Sequence, residues 1–251
     1  MTLTVNSLEA RRGGFMLTVP EWEVKAGQFQ ALLGANGAGK SSFFSALAGD
    51  IAFRGDISLQ GRPIQEWPAS VRARNLGVLL QQSQMPFAFT AQEVVALGLT
   101  PLSVQWREGH RRLRQSMARS DCEHLAGRSY LALSGGERQR VNLARVLLQL
   151  SEAQAAPVLL LDEPTSAQDL GHQHSMLQML RELAATEGYA IVAVLHDLNH
   201  ALRYADQCAL LADGMLVAKG SPEAVLNADC VERFWGYRPR RIKLAGESIL
   251  L

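Results

Sequence analysis

The stretch Gly34-Ala35-Asn36-Gly37-Ala38-Gly39-Lys40-Ser41 decides how the chain is read. It fits G-x-x-x-x-G-K-[ST], the spacing of a phosphate-binding loop. The flanks supply the context that motif needs. Residues 28–33 read as a short buried strand, and residues 42–48 as the first turns of a helix. Glycines let backbone N–H groups turn inward without a Cβ clash. Together with the helix N-terminus they form a nest for phosphate oxygens. Gly34, Ala35, Asn36, Gly37, Ala38, Gly39 and Ser42 would then line the phosphates of a nucleotide. Lys40 would reach the β- and γ-phosphates, and the Ser41 hydroxyl would ligate Mg2+.

Working outward, the 251 residues allow one large domain, or a core with an inserted subdomain. The net charge of +1 gives no basic field of the kind nucleic acid attracts, so no nucleic-acid partner is expected. Cys122, Cys208 and Cys230 are scattered and form no C-x-x-C, which reads as reduced thiols. The N-terminal residues alternate like a strand and lack the basic start and apolar run of a signal peptide. No run of about 18 apolar residues occurs, so a membrane role would come through a partner.

Residues 1–33 read as strands joined by turns at residues 11–14 and 25–27, and residues 53–64 as a hairpin. Residues 76–80 form a short buried strand that ends at Gln81-Gln82. The character then changes. Thr90 with Glu93 three residues on is a capping box opening a helix. Residues 108–126 carry apolar residues at helical spacing, and residues 135–150 make a long helix. This predicts a helical insert over 83–152. Residues 157–163 return to a buried strand, 175–185 to an amphipathic helix, and 189–196 to an apolar strand covered on both faces. A short helix follows over 198–204. Asp213-Gly214 is a hairpin turn, Ser221-Pro222 opens another helix, and the basic residues 238–241 read as a solvated face.

Two further motifs carry chemistry. Asp162 ends an apolar strand, where its carboxylate would hold Mg2+. Glu163 follows directly and can deprotonate a water aimed at the γ-phosphate. Leu133-Ser134-Gly135-Gly136-Glu137-Arg138-Gln139-Arg140 places a hydroxyl, two glycines and a helix N-terminus together, which makes a second anion site. His172 and His174 form H-x-H just after Ser166-Ala167-Gln168-Asp169, but further ligands for a metal are not evident.

At this point the chain resembles the ATP-binding subunits of ABC transporters, whose hallmark is LSGGQ followed by basic helix residues. Glu137 stands where Gln is most frequent. The resemblance runs through nearly the whole chain. It implies a P-loop NTPase α/β core with an N-terminal antiparallel β region (residues 1–82 and 153–251) and an inserted helical subdomain (83–152). It also implies that Gln81, with Gln82 as the competing assignment, senses Mg2+ and the γ-phosphate, that Asp169 is the acid of the D-loop Ser166-Ala167-Gln168-Asp169, and that His196 is a switch histidine at the γ-phosphate. Two departures stand out. The expected adenine-stacking aromatic is missing from residues 9–12, and Gln168 replaces a frequent Leu.

The family implies an ATPase that pairs head to tail with a second copy of itself. Each ATP then lies between the phosphate loop of one subunit and Ser134, Gly135, Gly136 and Glu137 of the other. The dimer would drive separate membrane permease subunits at the cytoplasmic face of the bacterial inner membrane, with a periplasmic substrate-binding protein acting upstream. Residues 83–95, 121–130, 141–150 and 195–199 most resemble importers of haem, vitamin B12 and ferric siderophores, with haem favoured. Residues 83–92 follow Gln81 and are unusually apolar, which marks a permease-docking segment; packing of these residues inside the helical insert is the alternative. A soluble ABC-type ATPase is the alternative of another class, but such proteins usually carry two cassettes or a coiled-coil insert. An exporter subunit is a third reading, although exporter cassettes are often fused to their membrane domain.

Overall fold

The computed structural model describes residues 2–80, 88–244 and 247–251. Gln81, Gln82 and residues 83–87 of the expected docking segment lie outside them. The chain opens with a long hairpin, β1 (Leu3–Arg12) and β2 (Phe15–Val24), turned by Gly13-Gly14. Strand β3 (Phe29–Leu33) runs into the phosphate loop and helix α1 (Lys40–Ala48). Next come β4 (Phe53–Leu59), β5 (Arg62–Pro63), α2 (Ala69–Asn75) and β6 (Leu76–Leu79). Three helices follow: α3 (Ala91–Ala96), α4 (Trp106–Arg119) and α5 (Gly135–Gln149). The chain returns through β7 (Val158–Leu161), α6 (Leu170–Glu187), β8 (Ala190–Val194), α7 (Leu198–Tyr204), β9 (Gln207–Ala212) and β10 (Met215–Gly220). It ends with α8 (Pro222–Val225), α9 (Ala228–Trp235) and the hairpin β11 (Arg241–Leu244) and β12 (Glu247–Leu250).

Among the described residues the large sheet has the order β5-β4-β1-β2-β10-β9-β3-β8-β7-β6. The five strands from β9 to β6 are parallel, and β5, β4, β1 and β2 form an antiparallel wing. Strands β3, β7 and β8 are buried along their whole length, which explains their continuous apolar sequences. The period of two divides their side chains between two layers. Leu159, Leu161, Ile191 and Ala193 face the layer with α5 and α6. Val158, Leu160, Val192 and Val194 face α1, whose Phe43 meets the ring of Trp22 edge-on at 5.2 Å.

Helices α3, α4 and α5 have a core of their own, built on Val94, Val95, Leu113, Met117, Val141 and Leu148. Thr90 caps α3 through the expected capping box. Helix α6 starts five residues earlier than its apolar period indicates, because the Asp169 carboxylate caps it by accepting the His172 N–H. Helix α9 and the terminal hairpin are additions to the sequence reading. Asn199 on α7 grips the hairpin with two bonds to the backbone of Leu250 (2.8 and 3.1 Å). Arg241 is not simply solvated: its guanidinium donates to the carbonyls of Glu223 and Leu226. Among the described residues no helix is long and apolar enough to cross a membrane.

All three cysteines are free thiols. Burial pushes the Cys122 and Cys208 thiols up to about 12, and it also raises Cys230, which is only partly covered. Thiolate is the reactive form. At pH 8 a thiol reagent should therefore label Cys230 first, and Cys122 and Cys208 only after unfolding. Mass spectrometry of the labelled native protein checks this order.

Candidate active site

The carboxyl ends of the parallel strands converge on one edge of the sheet, the usual place for a ligand in an open α/β fold. The phosphate loop leaves β3, Asp162-Glu163 leave β7, and Leu195-His196 leave β8. Pairing aligns these exits, as the Asp162 N–H donates to Leu79 O on β6 and the Leu195 N–H to Leu32 O on β3.

The loop wraps a cavity of about 210 Å³ lined by Phe15, Asn36, Gly37, Gly39, Lys40, Ser41, Ser42 and Glu163. Gly34, Gly37 and Gly39 have φ of 145°, 80° and 103°. These angles favour glycine and turn the loop's N–H groups toward its centre. At Gly34 space is also decisive, because a Cβ would lie 2.3 Å from the carbonyl oxygen of Leu211. Gly34→Ala should push the loop away from β9. A loss of about 1–3 kcal/mol of stability from backbone strain alone is expected, along with clearly weaker nucleotide binding. Thermal melts with and without ATP measure both.

The Lys40 ammonium donates to the carbonyls of Gly34 and Ala35 at 2.8 and 2.9 Å. Burial holds its pKa below the usual lysine value, opposed by the nearby carboxylates of Glu163 and Asp162. A phosphate would give this buried cation charged acceptors in place of neutral ones. The Ser41 hydroxyl donates to Asp162 Oδ2 at 3.1 Å. Burial raises the Asp162 pKa; the Ser41 bond works against this and the neighbouring Glu163 adds to it. Glu163 Oε1 lies 2.6 Å from His196 Nε2. Glu163 also has a left-handed backbone, φ 52°.

The other expected site residues lie apart from this cluster. Ser134 caps α5 in a capping box with Glu137: its hydroxyl accepts the Glu137 N–H, and the Glu137 carboxylate accepts the Ser134 N–H at 2.7 Å. These bonds hold the Glu137 carboxyl below its ordinary range, led by the backbone N–H of Ser134. Gly135 and Gly136 pack on the loop before α6. A Cβ on Gly136 would lie 2.9 Å from the Ala167 carbonyl oxygen, and one on Gly135 would lie 3.2 Å from the Ala167 Cβ. Ser134, Gly135, Gly136 and Glu137 are absent from the lining of the phosphate cavity. Asp169 caps α6 and pairs with His172 at 2.9 Å. His174 bonds the Tyr204 hydroxyl at 2.7 Å, so the two histidines of H-x-H serve different partners.

The aromatic ring that reaches the cavity is Phe15, three residues beyond the expected stretch 9–12 and past the Gly13-Gly14 turn. The Phe15 ring would touch a Cβ on Gly39 at 2.9 Å. The signal was available: in a hairpin turned at Gly13-Gly14, Phe15 is the first residue of the returning strand.

Comparison with known proteins agrees with this geometry. Residues 17–166 match the family model described as ABC transporter. The hemin import ATP-binding protein of Shewanella denitrificans is 49% identical over 216 residues, covering 86% of this chain and 85% of that protein. Its counterpart from Myxococcus xanthus is 45% identical over 253 residues, covering 98% and 94%. Among solved structures, a metal-chelate type ABC transporter in an inward-facing conformation superposes with TM-score 0.82 at 24% identity, over 100% of this chain and 97% of that one. The cbiO1 protein of Clostridium perfringens, part of the ABC transporter complex cbiONQ, superposes with TM-score 0.78 at 27% identity, over 92% and 93%. With a complete phosphate loop, an acidic pair at the end of β7 and family matches over most of its length, the chain belongs to the ABC transporter family as one of its ATP-binding, ATP-hydrolysing cassettes.

Proposed function

We propose that this chain powers a bacterial haem importer, hydrolysing ATP at the cytoplasmic face of the inner membrane to move separate permease subunits. The cargo reading is carried by relatives 41–49% identical that bear the name hemin import ATP-binding protein. Vitamin B12 and ferric siderophores are the competing cargoes. The test is to co-express the chain with candidate permease subunits, purify the complex that forms, reconstitute it in liposomes, and compare ATP-driven uptake of haem, cobalamin and a ferric siderophore. Haem uptake alone supports the reading; uptake of another cargo in its place sinks it.

The mechanism rests on one observation, the meeting of Lys40, Ser41, Asp162, Glu163 and His196 at the strand ends. Lys40 exchanges the carbonyls of Gly34 and Ala35 for β- and γ-phosphate oxygens, and the loop N–H groups hold the rest of the chain of phosphates. Ser41 and Asp162 offer the hard oxygen donors that suit Mg2+, which would neutralise phosphate charge there. Gln81 is assigned to the same ion. Glu163 takes a proton from the attacking water as its oxygen bonds to the γ-phosphorus and the bond to ADP breaks. His196 Nε2 lies 2.6 Å from the Glu163 carboxylate in the nucleotide-free chain, and on ATP binding its single N–H would turn from that carboxylate to the γ-phosphate. Phe15 gives the nucleotide an apolar wall.

Among the described residues, Ser134, Gly135, Gly136 and Glu137 do not line the phosphate cavity of their own chain. A second copy, head to tail, would bring them to it. Asp169 and Leu170 would then lie at the interface. Leu170 is 72% exposed, a large apolar side chain left on the surface beside the D-loop.

A further inference from the structure

Glu163 holds a backbone conformation that its sequence disfavours. Its φ of 52° is left-handed, and Pro164 behind it favours an extended backbone instead. Something outside the residue must hold it there. Its carbonyl oxygen accepts from the Ser166 N–H at 3.3 Å, from the Ser166 hydroxyl at 3.1 Å and, most closely, from the side-chain amide of Gln139 at 2.8 Å. Gln139 lies one turn into α5, the helix that Ser134, Gly135 and Gly136 open.

The direction of this bond is determined by chemistry. A carbonyl only accepts, so Gln139 must present its NH₂ to Glu163 and its oxygen to the other side. There Gln168 Nε2 donates to Gln139 Oε1 at 3.2 Å. The Gln168 oxygen is buried with no hydrogen-bond partner among the described residues. Turning that amide over would set oxygen against oxygen. The order Gln168 to Gln139 to the Glu163 carbonyl is therefore the arrangement the three groups allow. A Leu at 168 could not make it.

The geometry points to Gln139 as a positioning residue for Glu163, with Gln168 orienting Gln139. This rests on the reading of Glu163 as the proton acceptor. A hydrogen bond of 2.8 Å weakens once its partners part by roughly half an ångström. Glu163 is thus aimed in only one placement of α5 against the core, so the helix carrying Ser134 and the base of the same chain are aligned together.

The test is a double-mutant cycle with Gln139→Met, which keeps length and loses the donor. kcat should fall by about tenfold to a hundredfold, the range for a misplaced reacting group, with the KM for ATP unchanged. In a Glu163→Gln background, read by single-turnover hydrolysis, Gln139→Met should cause no further loss, because it aims a group that no longer accepts a proton. A purely structural role would lower both backgrounds alike. Gln168→Leu changes no residue of α5, removes the bond that orients Gln139, and should give a smaller loss of kcat in the same direction. Wild-type kcat in both Gln139→Met and Gln168→Leu, or an equal fold loss on top of Glu163→Gln, overturns the inference. Wild-type turnover in Glu163→Gln alone would instead overturn the reading of the base.

Discussion

The Glu163→Gln protein is expected to bind ATP, to hydrolyse it about 10²–10⁴-fold more slowly, and to accumulate as an ATP-bound dimer. The loss corresponds to about 3–5 kcal/mol on the barrier. Its source is narrow. Gln has the size of Glu, and its oxygen can still accept from His196, which lies 2.6 Å from Glu163 Oε1. The backbone bonds from Gln139 and Ser166 are untouched. What disappears is the ability to accept a proton from water. Lys40 and the loop N–H groups still hold ATP, so the nucleotide persists at the interface and keeps two subunits together. Size-exclusion chromatography with light scattering should show a dimer with ATP and a monomer with ADP. Adding Ser134→Arg should abolish that dimer, because a bulky cation blocks the half-site on the opposing subunit. Wild-type hydrolysis by Glu163→Gln would show that another group is the base.

Lys40→Ala should remove ATP binding at useful concentrations. The ammonium is buried and sits against the loop's own carbonyls, which the phosphates of ATP would replace. Charge-assisted bonds contribute about 1.5–3 kcal/mol each. Losing two of them weakens ATP by roughly 10²-fold or more. Thermal stability should change far less than affinity, because burial opposes the charge: the lysine is already held below its ordinary pKa. Calorimetric titration reads the affinity directly. An unchanged dissociation constant would remove Lys40 from the site.

The parts of this site that lie within one short segment could be read from sequence. The phosphate loop needs glycines at fixed offsets, and the structure puts positive φ at Gly34, Gly37 and Gly39. The buried strands before Asp162 and His196 betray themselves as unbroken apolar runs. Thr90 and Ser221 are caps that the sequence states outright, and both cap helices. What was hidden depends on contacts between distant segments. Gly136 is needed because Ala167 packs against it from 31 residues away. Phe15 reaches the loop because a hairpin folds it back. Helix α6 begins at Leu170 because Asp169 caps it, whereas Gly171 and two histidines obscured the helical pattern. Gln168 replaces a frequent Leu, and the reason lies 29 residues away, where its amide meets Gln139.

Helix α5 has two buried faces. Val141, Ala144 and Leu148 belong to the small core of α3 and α4, while Leu143, Val146, Leu147 and Leu150 at its end belong to the core beneath the parallel sheet. Neither group can give up this helix without exposing apolar surface. Opening of the small core alone would free α3 and α4 and leave α5 held by the other face. In amide hydrogen exchange, α5 should therefore share the slow rates of β3, β7 and β8, and α3 and α4 should exchange as a faster, separate unit. The subdomain would then loosen around a helix that stays folded.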